Sequence, residues 1–183
     1  MSEKMFPEFE KFPKVPRFSR DIIITEKIDG TNGQVYITDS GEVYAGSRNR
    51  WVTPYNDNMG FATWVYSHKD KLRDLLGPGR HFGEWWGFGI QRGYGIGFKM
   101  FSLFNTHRWQ GLITDYGLSV VPVLYQGPFS ERYIYACLRA LKVHGSFASR
   151  GFMQPEGVVI FHTASNSLFK KTLENDEKGK GNG

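Results

Sequence analysis

The sequence predicts an α+β domain built on antiparallel β-sheets with flanking helices, and three observations support this fold class. Short segments rich in β-branched and aromatic residues occur along the whole chain, whereas only two segments have apolar residues at helical spacing. The length of 183 residues fits one hydrophobic core, and the sequence contains no internal repeat. We therefore expect a single domain over residues 1–173 and a flexible, charged tail over residues 174–183.

Eight strands are expected, after an extended N-terminal segment. The first twenty residues carry Pro7, Pro13 and Pro16 and are expected to run across the surface. Segments bounded by glycine, proline or aspartate predict strands at residues 21–28, 34–38, 42–47, 80–88, 98–105, 118–127, 156–163 and 167–173. The turn at Asp39-Ser40-Gly41 predicts that the second and third of these strands pair as a hairpin.

Two helices are predicted, at residues 60–76 and 130–145. The first has apolar residues three or four positions apart and ends at Gly77-Pro78-Gly79. The second follows Ser130, a suitable N-cap, and ends at a glycine. The glycine-rich segment 93–97 lacks the lysine and helix start of a phosphate-binding loop, so we expect a mobile connection near the functional pocket.

Composition and charge narrow the functional classes. The formal net charge of +5 and the pI near 9.3 are compatible with a polyanionic partner such as nucleic acid. A single cysteine, Cys137, excludes an intrachain disulfide and fits a reducing compartment. The sequence contains no apolar run of the roughly 20 residues that a membrane span needs. These features predict a cytoplasmic protein without a membrane partner.

Lys27 is the strongest candidate for a catalytic residue. It ends a hydrophobic strand and is followed by Asp29 and Gly30, where the chain turns. A lysine held in this way and partly removed from water can act as a nucleophile, and a glycine lets the backbone approach a phosphate or sugar closely. The same residues also fit a surface lysine that leads into an Asp-Gly turn.

Six segments together resemble the motifs of the covalent nucleotidyltransferases, which include DNA ligases, RNA ligases and mRNA-capping enzymes. Lys27-Ile28-Asp29-Gly30 resembles the first motif of that superfamily, K-x-D-G. Five further segments resemble its other motifs in the same order: Gly46-Ser47-Arg48, Phe82-Gly83-Glu84-Trp85, Phe98-Lys99-Met100-Phe101, Glu156-Gly157-Val158-Val159 and Phe169-Lys170-Lys171. Each segment is short, but their order and their positions on predicted strands favour a minimal adenylyltransferase core.

The resemblance implies an ATP-dependent RNA ligase. DNA ligases and capping enzymes carry arginine two residues after the glycine of K-x-D-G, whereas this chain has Asn32, which resembles the RNA-ligase branch. The implied reaction transfers AMP from ATP to Lys27, with Mg²⁺ or Mn²⁺, and then joins a 5′-phosphate to a 3′-hydroxyl. RNA is the favoured partner, and a partner protein can supply specificity, because we expect no OB-fold domain after residue 173.

The resemblance also assigns expected roles to side chains. The residues expected to bind nucleotide are Glu26 and Asn32 in the pocket, Glu84 on the ribose, Phe101 on adenine, Lys170 on the α-phosphate and Arg48 on phosphate or the substrate end, with Glu156 as the metal ligand. Phe98 or Phe104 can replace Phe101 as the stacking ring. Lys170 and Lys171 are adjacent and point to opposite faces of a strand, so only one can face the phosphate, and we favour Lys170.

Two other functions remain open at this point. One is a minimal ATP-dependent DNA ligase, and the GTP-using capping enzymes are a further variant of the same chemistry. The other is a non-catalytic module that binds nucleic acid with the same fold. The joint presence of Lys27, Glu84, Glu156 and Lys170 favours an enzyme over such a module.

Overall fold

The computed structural model describes residues 7–176 and consists of two β-sheets with three helices. The strands are β1 (Asp21–Lys27), β2 (Thr31–Ile37), β3 (Val43–Ser47), β4 (Trp51–Val52), β5 (Gly79–Gly87), β6 (Lys99–Leu103), β7 (Leu118–Val120), β8 (Val123–Pro128), β9 (Gly157–His162) and β10 (Ser167–Thr172). The helices are α1 (Phe61–Ser67), α2 (Lys69–Leu76) and α3 (Glu131–His144).

The larger sheet has six strands in the order β4-β3-β2-β5-β6-β7. Its side chains alternate between two faces, and one face packs against α1 and α2 to form the main hydrophobic core. Val35, Trp85 and Phe101 lie on this core face together with Phe61 of α1. Asn32 and Glu84 lie on the opposite face, since each precedes or follows a core residue by one position.

The smaller sheet has four strands in the order β10-β9-β1-β8. Its core face carries Ile22, Ile24, Val158 and Ile160, which pack against the apolar side of α3. The opposite face of β1 carries Lys27. A third apolar cluster, formed by Ile28, Trp86, Tyr94 and Val121, joins the two sheets where β1 ends.

The antiparallel α+β architecture expected from the sequence is confirmed, with local differences. The strand predicted at 118–127 is divided at Val121-Pro122, and its halves β7 and β8 belong to different sheets. Pro122 cannot donate a ladder hydrogen bond, which is why the strand breaks there. β7 runs parallel to β6, and the short strand β4 carries too few residues to be recognised from its pattern.

The helix predicted at 60–76 is divided at His68 into α1 and α2. The His68 backbone has φ −114° and ψ 15°, and its ring Nδ1 lies 2.8 Å from the carbonyl oxygen of Trp64. The Trp64 carbonyl oxygen also accepts a hydrogen bond of 3.1 Å from the His68 backbone N–H, so both groups of His68 bind the same carbonyl where the two helices meet. The second helix, α3, agrees with its prediction to within one residue at each end.

The terminal segments are only partly described. Residues 7–20 form no helix or strand, and most of their side chains are exposed, in keeping with the expected extended segment. Asp176 accepts hydrogen bonds from Lys171 Nζ and the Thr172 backbone N–H, so the described start of the predicted tail folds back on β10. The remainder of that tail, residues 177–183, lies outside the described residues. Within residues 7–176, no helix is long and apolar enough to cross a membrane.

Candidate active site

Lys27 and Glu156 form an ion pair where β1 ends and β9 begins. The register pairs Lys27 with Gly157, so Glu156 lies beside the lysine at one end of the two inner strands of the four-stranded sheet. Lys27 Nζ lies 2.5 Å from Glu156 Oε2, and the two side chains are only 21% and 12% exposed. Partial burial makes such a pair stronger than a surface salt bridge, so the amine is held in a defined position.

Glu84 reaches the same place from the six-stranded sheet. Its carboxylate accepts hydrogen bonds from the Gly30 backbone N–H at 3.1 Å and from Asn32 Nδ2 at 2.9 Å. Burial raises the pKa of Glu84 from 4.5 to about 7, while the nearby Lys27 cation and these hydrogen bonds oppose the rise. Glu156 adds to the rise as a second carboxylate. The site thus contains one lysine and two carboxylates: Glu156 is paired with the lysine, and Glu84 is hydrogen-bonded to Gly30 and Asn32.

Gly30 allows Glu84 and the end of β1 to approach one another. A Cβ atom at Gly30 would lie 2.4 Å from the Trp85 carbonyl oxygen and 2.9 Å from Trp86 Cβ. Only glycine fits this close backbone approach without a shift of the strand. The glycine after Asp29 therefore packs the turn against β5.

The turn after Lys27 is also held by Arg92 and by the glycine-rich segment 93–97, which the sequence predicts as a mobile connection. Tyr94 is fully buried, and its hydroxyl accepts a hydrogen bond of 2.8 Å from the Asp29 backbone N–H. Arg92 forms an ion pair with Asp29 and donates to the Gln154 carbonyl oxygen. The expectation of a loose connection is wrong for the centre of this segment, which braces the turn next to Lys27. The spacing of apolar residues in the sequence does not indicate that this segment stabilises the turn.

Glu26 requires a correction. It lies on the core face of β1, opposite to Lys27, and is 1% exposed. Its carboxylate accepts hydrogen bonds from Ser146 Oγ at 2.6 Å and from the backbone N–H groups of Phe147 and Ala148. Burial raises the pKa of Glu26, and these three donors oppose the rise. The side chain therefore anchors the segment after α3 and does not line the pocket that Lys27 faces.

Lys170 and Lys171 point to opposite faces of β10, as their adjacency predicts. Lys170 pairs across the sheet with Val159, which pairs with Thr25, so Lys170 shares the face of Lys27. Lys171 contacts Asp176 and lies 5.7 Å from the ring centre of Tyr135 on α3. The register thus places Lys170, which is exposed, on the face that carries Lys27, and Lys171 on the face that packs against α3.

Phe101 also requires a correction. It pairs with Trp85, which places it on the core face of the six-stranded sheet, and it is fully buried against Phe61. Adenine on the Glu84 side cannot reach that ring. The sequence alternative Phe104 does lie on the Glu84 side: its backbone N–H bonds to the Phe82 carbonyl oxygen, and both rings are about half exposed.

The remaining predicted residues differ in how closely the structure brings them to Lys27. Asn32 lies in the site through its bond to Glu84, whereas Arg48 is exposed in the turn after β3. No group of three metal-binding side chains occurs in the described part of the chain. Mg²⁺ and Mn²⁺ accept carboxylate and phosphate oxygens, and they commonly need only one or two carboxylates from the protein. The Glu156 carboxylate, which is partly exposed beside Lys27, fits that requirement.

Comparisons with known proteins agree on one family. A family model described as RNA ligase matches residues 20–172. The structure is similar to a Naegleria gruberi RNA ligase with PPi, with a TM-score of 0.61 and 20% identity. That match covers 84% of this chain and 50% of the Naegleria chain. The E227A mutant of the Naegleria enzyme with ATP and Mn gives a TM-score of 0.62 and 19% identity, covering 88% and 52%.

An archaeal ATP-dependent RNA ligase is similar at a TM-score of 0.61 and 20% identity, covering 88% of this chain and 48% of the archaeal one. The chain thus spans about half the length of these solved structures. No curated protein sequence matches it. At these identities the structural likeness establishes the fold, which is that of the ligase-type nucleotidyltransferases.

Proposed function

The chain belongs to the RNA ligase family, and from this we propose that it is an ATP-dependent RNA ligase that carries AMP on Lys27. The observation that carries the proposal is the convergence of Lys27, Glu156 and Glu84 at the meeting point of the two sheets. A positioned amine next to two carboxylates is suited to attack on phosphorus followed by transfer of the nucleotide.

In the first step, Lys27 Nζ forms a bond to the α-phosphorus of ATP, and the bond from that phosphorus to the bridging oxygen breaks. Pyrophosphate leaves, and AMP stays on the lysine as a phosphoramidate. Nζ must lose two of its three protons in this process. Glu156 Oε2, 2.5 Å away, is placed to accept one, and the other passes to water or to the departing pyrophosphate. Lys170, on the same face of the sheet, supplies positive charge for the phosphates.

Two further transfers complete the proposed reaction. A 5′-phosphate oxygen of RNA attacks the phosphorus of lysyl-AMP and restores the free lysine, which gives a 5′–5′ pyrophosphate linkage. A 3′-hydroxyl oxygen then attacks the RNA phosphorus, and AMP leaves. Glu84 and Asn32 hold the nucleoside part, since the Glu84 oxygens retain lone pairs for ribose hydroxyls besides the two bonds that they already accept.

A divalent cation fits beside Glu156, whose carboxylate would hold it together with the substrate phosphates. When bound, such a cation neutralises negative charge that accumulates on the phosphates during transfer. The ATP and Mn of the Naegleria gruberi complex support this choice of nucleotide and metal. Glu156→Ala should therefore lower adenylylation steeply and change its dependence on metal concentration.

The test is covalent labelling of the protein with ATP that carries the label on either the α- or the γ-phosphate. Label from the α-phosphate alone should appear on the protein, and Lys27→Ala should carry none. Lys69→Ala, which removes an exposed lysine of α2, is the matched control and should label normally. Label retained by Lys27→Ala would overturn the assignment, and stronger labelling from GTP would indicate a capping-type enzyme.

The preference for RNA needs a separate test. A nicked duplex with either RNA or DNA at the 3′-hydroxyl side should be sealed faster when that side is RNA, because contacts to the 2′-hydroxyl distinguish the two. Sealing should decline sharply with added salt, because salt weakens each phosphate contact that holds the RNA on this basic chain of net charge +5. Lysine adenylylation needs no RNA and should change little. Equal sealing of an all-DNA nick would favour a minimal DNA ligase.

A further inference from the structure

The face of the six-stranded sheet that carries Glu84 continues into an exposed aromatic surface. Phe82 precedes Glu84 by two residues along β5, and Arg80 precedes Phe82 by two residues. Tyr36, Tyr44 and Trp51 lie beside them on β2, β3 and β4, on the same face. We call this set, Tyr36, Tyr44, Trp51, Arg80 and Phe82, the Trp51 surface.

Three rings of the Trp51 surface, those of Tyr36, Tyr44 and Trp51, contact one another. The Tyr36 and Tyr44 rings are stacked at 6.2 Å, and Trp51 lies 6.1 Å from Tyr36 and 5.9 Å from Tyr44. The Arg80 guanidinium lies 4.2 Å above the Tyr36 ring and 5.6 Å from that of Trp51. Its position is fixed by a hydrogen bond of 2.9 Å to Gln34 Oε1.

The Trp51 surface is open to solvent. Tyr44 is 39% exposed, Trp51 50% and Phe82 51%. Cross-strand aromatic pairs stabilise a sheet, but that role alone does not require three large rings at the surface. A contiguous exposed apolar patch of this kind is typical of an interaction site.

We propose that the Trp51 surface binds single-stranded RNA next to the end that is being joined, with bases stacked on its rings. The proposal rests on the proposed function, because it assigns a substrate subsite to the same catalytic face. Its position follows from strand geometry: two residues along a strand span about 7 Å, so the Phe82 row borders the Glu84 pocket and the Arg80 row is one step further.

The chemistry of the surface matches a nucleic acid strand better than an apolar protein surface. Aromatic side chains and the planar arginine guanidinium stack on bases of any sequence. Arg48 and Arg50 lie exposed in the turn that precedes Trp51, where they can contact phosphates. The acidic Glu42 lies two residues before Tyr44, at the end of β3 opposite to Arg48.

The experiment measures binding of a short, fluorescently labelled single-stranded RNA to the full chain by anisotropy, without ATP. Trp51→Ala should weaken binding roughly 5- to 100-fold, the range for loss of one stacked base. Trp51→Phe, which keeps a ring, should retain most of the affinity. Tyr135→Ala, which removes an exposed ring of α3 at the four-stranded sheet, is the matched control and should bind as the unmodified protein does.

Salt dependence separates stacking from charge. Trp51→Ala should lower the affinity equally at all salt concentrations, whereas Arg50→Gln should reduce the slope of log affinity against log salt by about one. Unchanged affinity in folded Trp51→Ala would overturn the proposal and point to a protein partner for this surface. A loss of equal size in Tyr135→Ala would overturn it as well.

Adenylylation of Lys27 is measured on the same samples, so the two proposals fail separately. Trp51→Ala should label with AMP as the unmodified protein does, because no residue of the Trp51 surface touches Lys27 or Glu156. A protein that binds RNA through Trp51 but accepts no AMP would refute the ligase mechanism and leave this surface intact. A protein that accepts AMP but binds RNA equally well without Trp51 would refute the proposed role of the Trp51 surface and leave the ligase mechanism intact.

Discussion

Replacing Glu84 by glutamine should make the protein more stable above neutral pH, although it removes a proposed catalytic contact. Burial raises the pKa of Glu84 to about 7 from 4.5, its ordinary value. The native protein therefore holds a proton between these pH values that the unfolded chain has lost. By linkage, the free energy of unfolding falls as the pH rises through this window.

The size of the effect follows from the pKa. A change from 4.5 to about 7 corresponds to about 3 kcal/mol, at roughly 1.4 kcal/mol for each pH unit. The group is 9% exposed, so solvent screening reduces this figure little. Glutamine stays neutral, and its oxygen can still accept the Gly30 hydrogen bond.

Urea unfolding of both proteins between pH 4.5 and pH 8.5 measures the difference directly. The stability of Glu84→Gln minus that of the unmodified protein should increase by up to about 3 kcal/mol across the range, with most of the increase between pH 5 and pH 7. The subtraction removes contributions shared by both proteins, such as that of Glu26. A difference that is independent of pH would refute the argument that burial sets the charge of Glu84.

Three other predictions concern neighbouring positions. Glu26→Gln should lower the free energy of unfolding by about 1–3 kcal/mol, since it weakens the buried hydrogen bonds to the segment after α3. The folded variant should still accept AMP. An altered ATP requirement without loss of stability would instead place Glu26 in the nucleotide pocket. Gly30→Ala should destabilise the protein by about 1–3 kcal/mol, because the added Cβ meets the Trp85 carbonyl, and normal labelling with normal melting temperature would contradict this. Phe104→Ala should raise the ATP concentration needed for half-maximal labelling without unfolding, whereas Phe101→Ala should mainly lower the melting temperature, and the opposite pattern would place adenine on Phe101.

The sequence predicted antiparallel sheets and the strand that carries Lys27, because those features depend on local patterns. It could not predict which face each side chain occupies where apolar residues are continuous. Ile22, Ile23 and Ile24 precede Glu26, so alternation does not identify the buried face of β1. The register with β9 decides it and turns Glu26 away from the pocket.

Phe101 shows the same limit. Phenylalanines at 98, 101 and 104 are three residues apart, so neighbours in this series point to opposite faces of a strand. Only the pairing of Phe101 with Trp85 identifies it as a core residue. The break at Pro122, by contrast, is visible in the sequence, because a proline within an apparent strand indicates that the strand is interrupted.

The position of β1 has a consequence for how the protein acquires its site during synthesis. The strand that ends in Lys27 is an inner strand, hydrogen-bonded on one side to β8 and on the other to β9. Glu156 lies 129 residues after Lys27. On the ribosome, β1 emerges long before β8 and β9 and remains unpaired until both have been synthesised. Closing such distant contacts is slow, and an unpaired hydrophobic strand is a target for aggregation and for chaperones. A ribosome-bound chain that stops before β9 should therefore carry the nucleophile but accept no AMP.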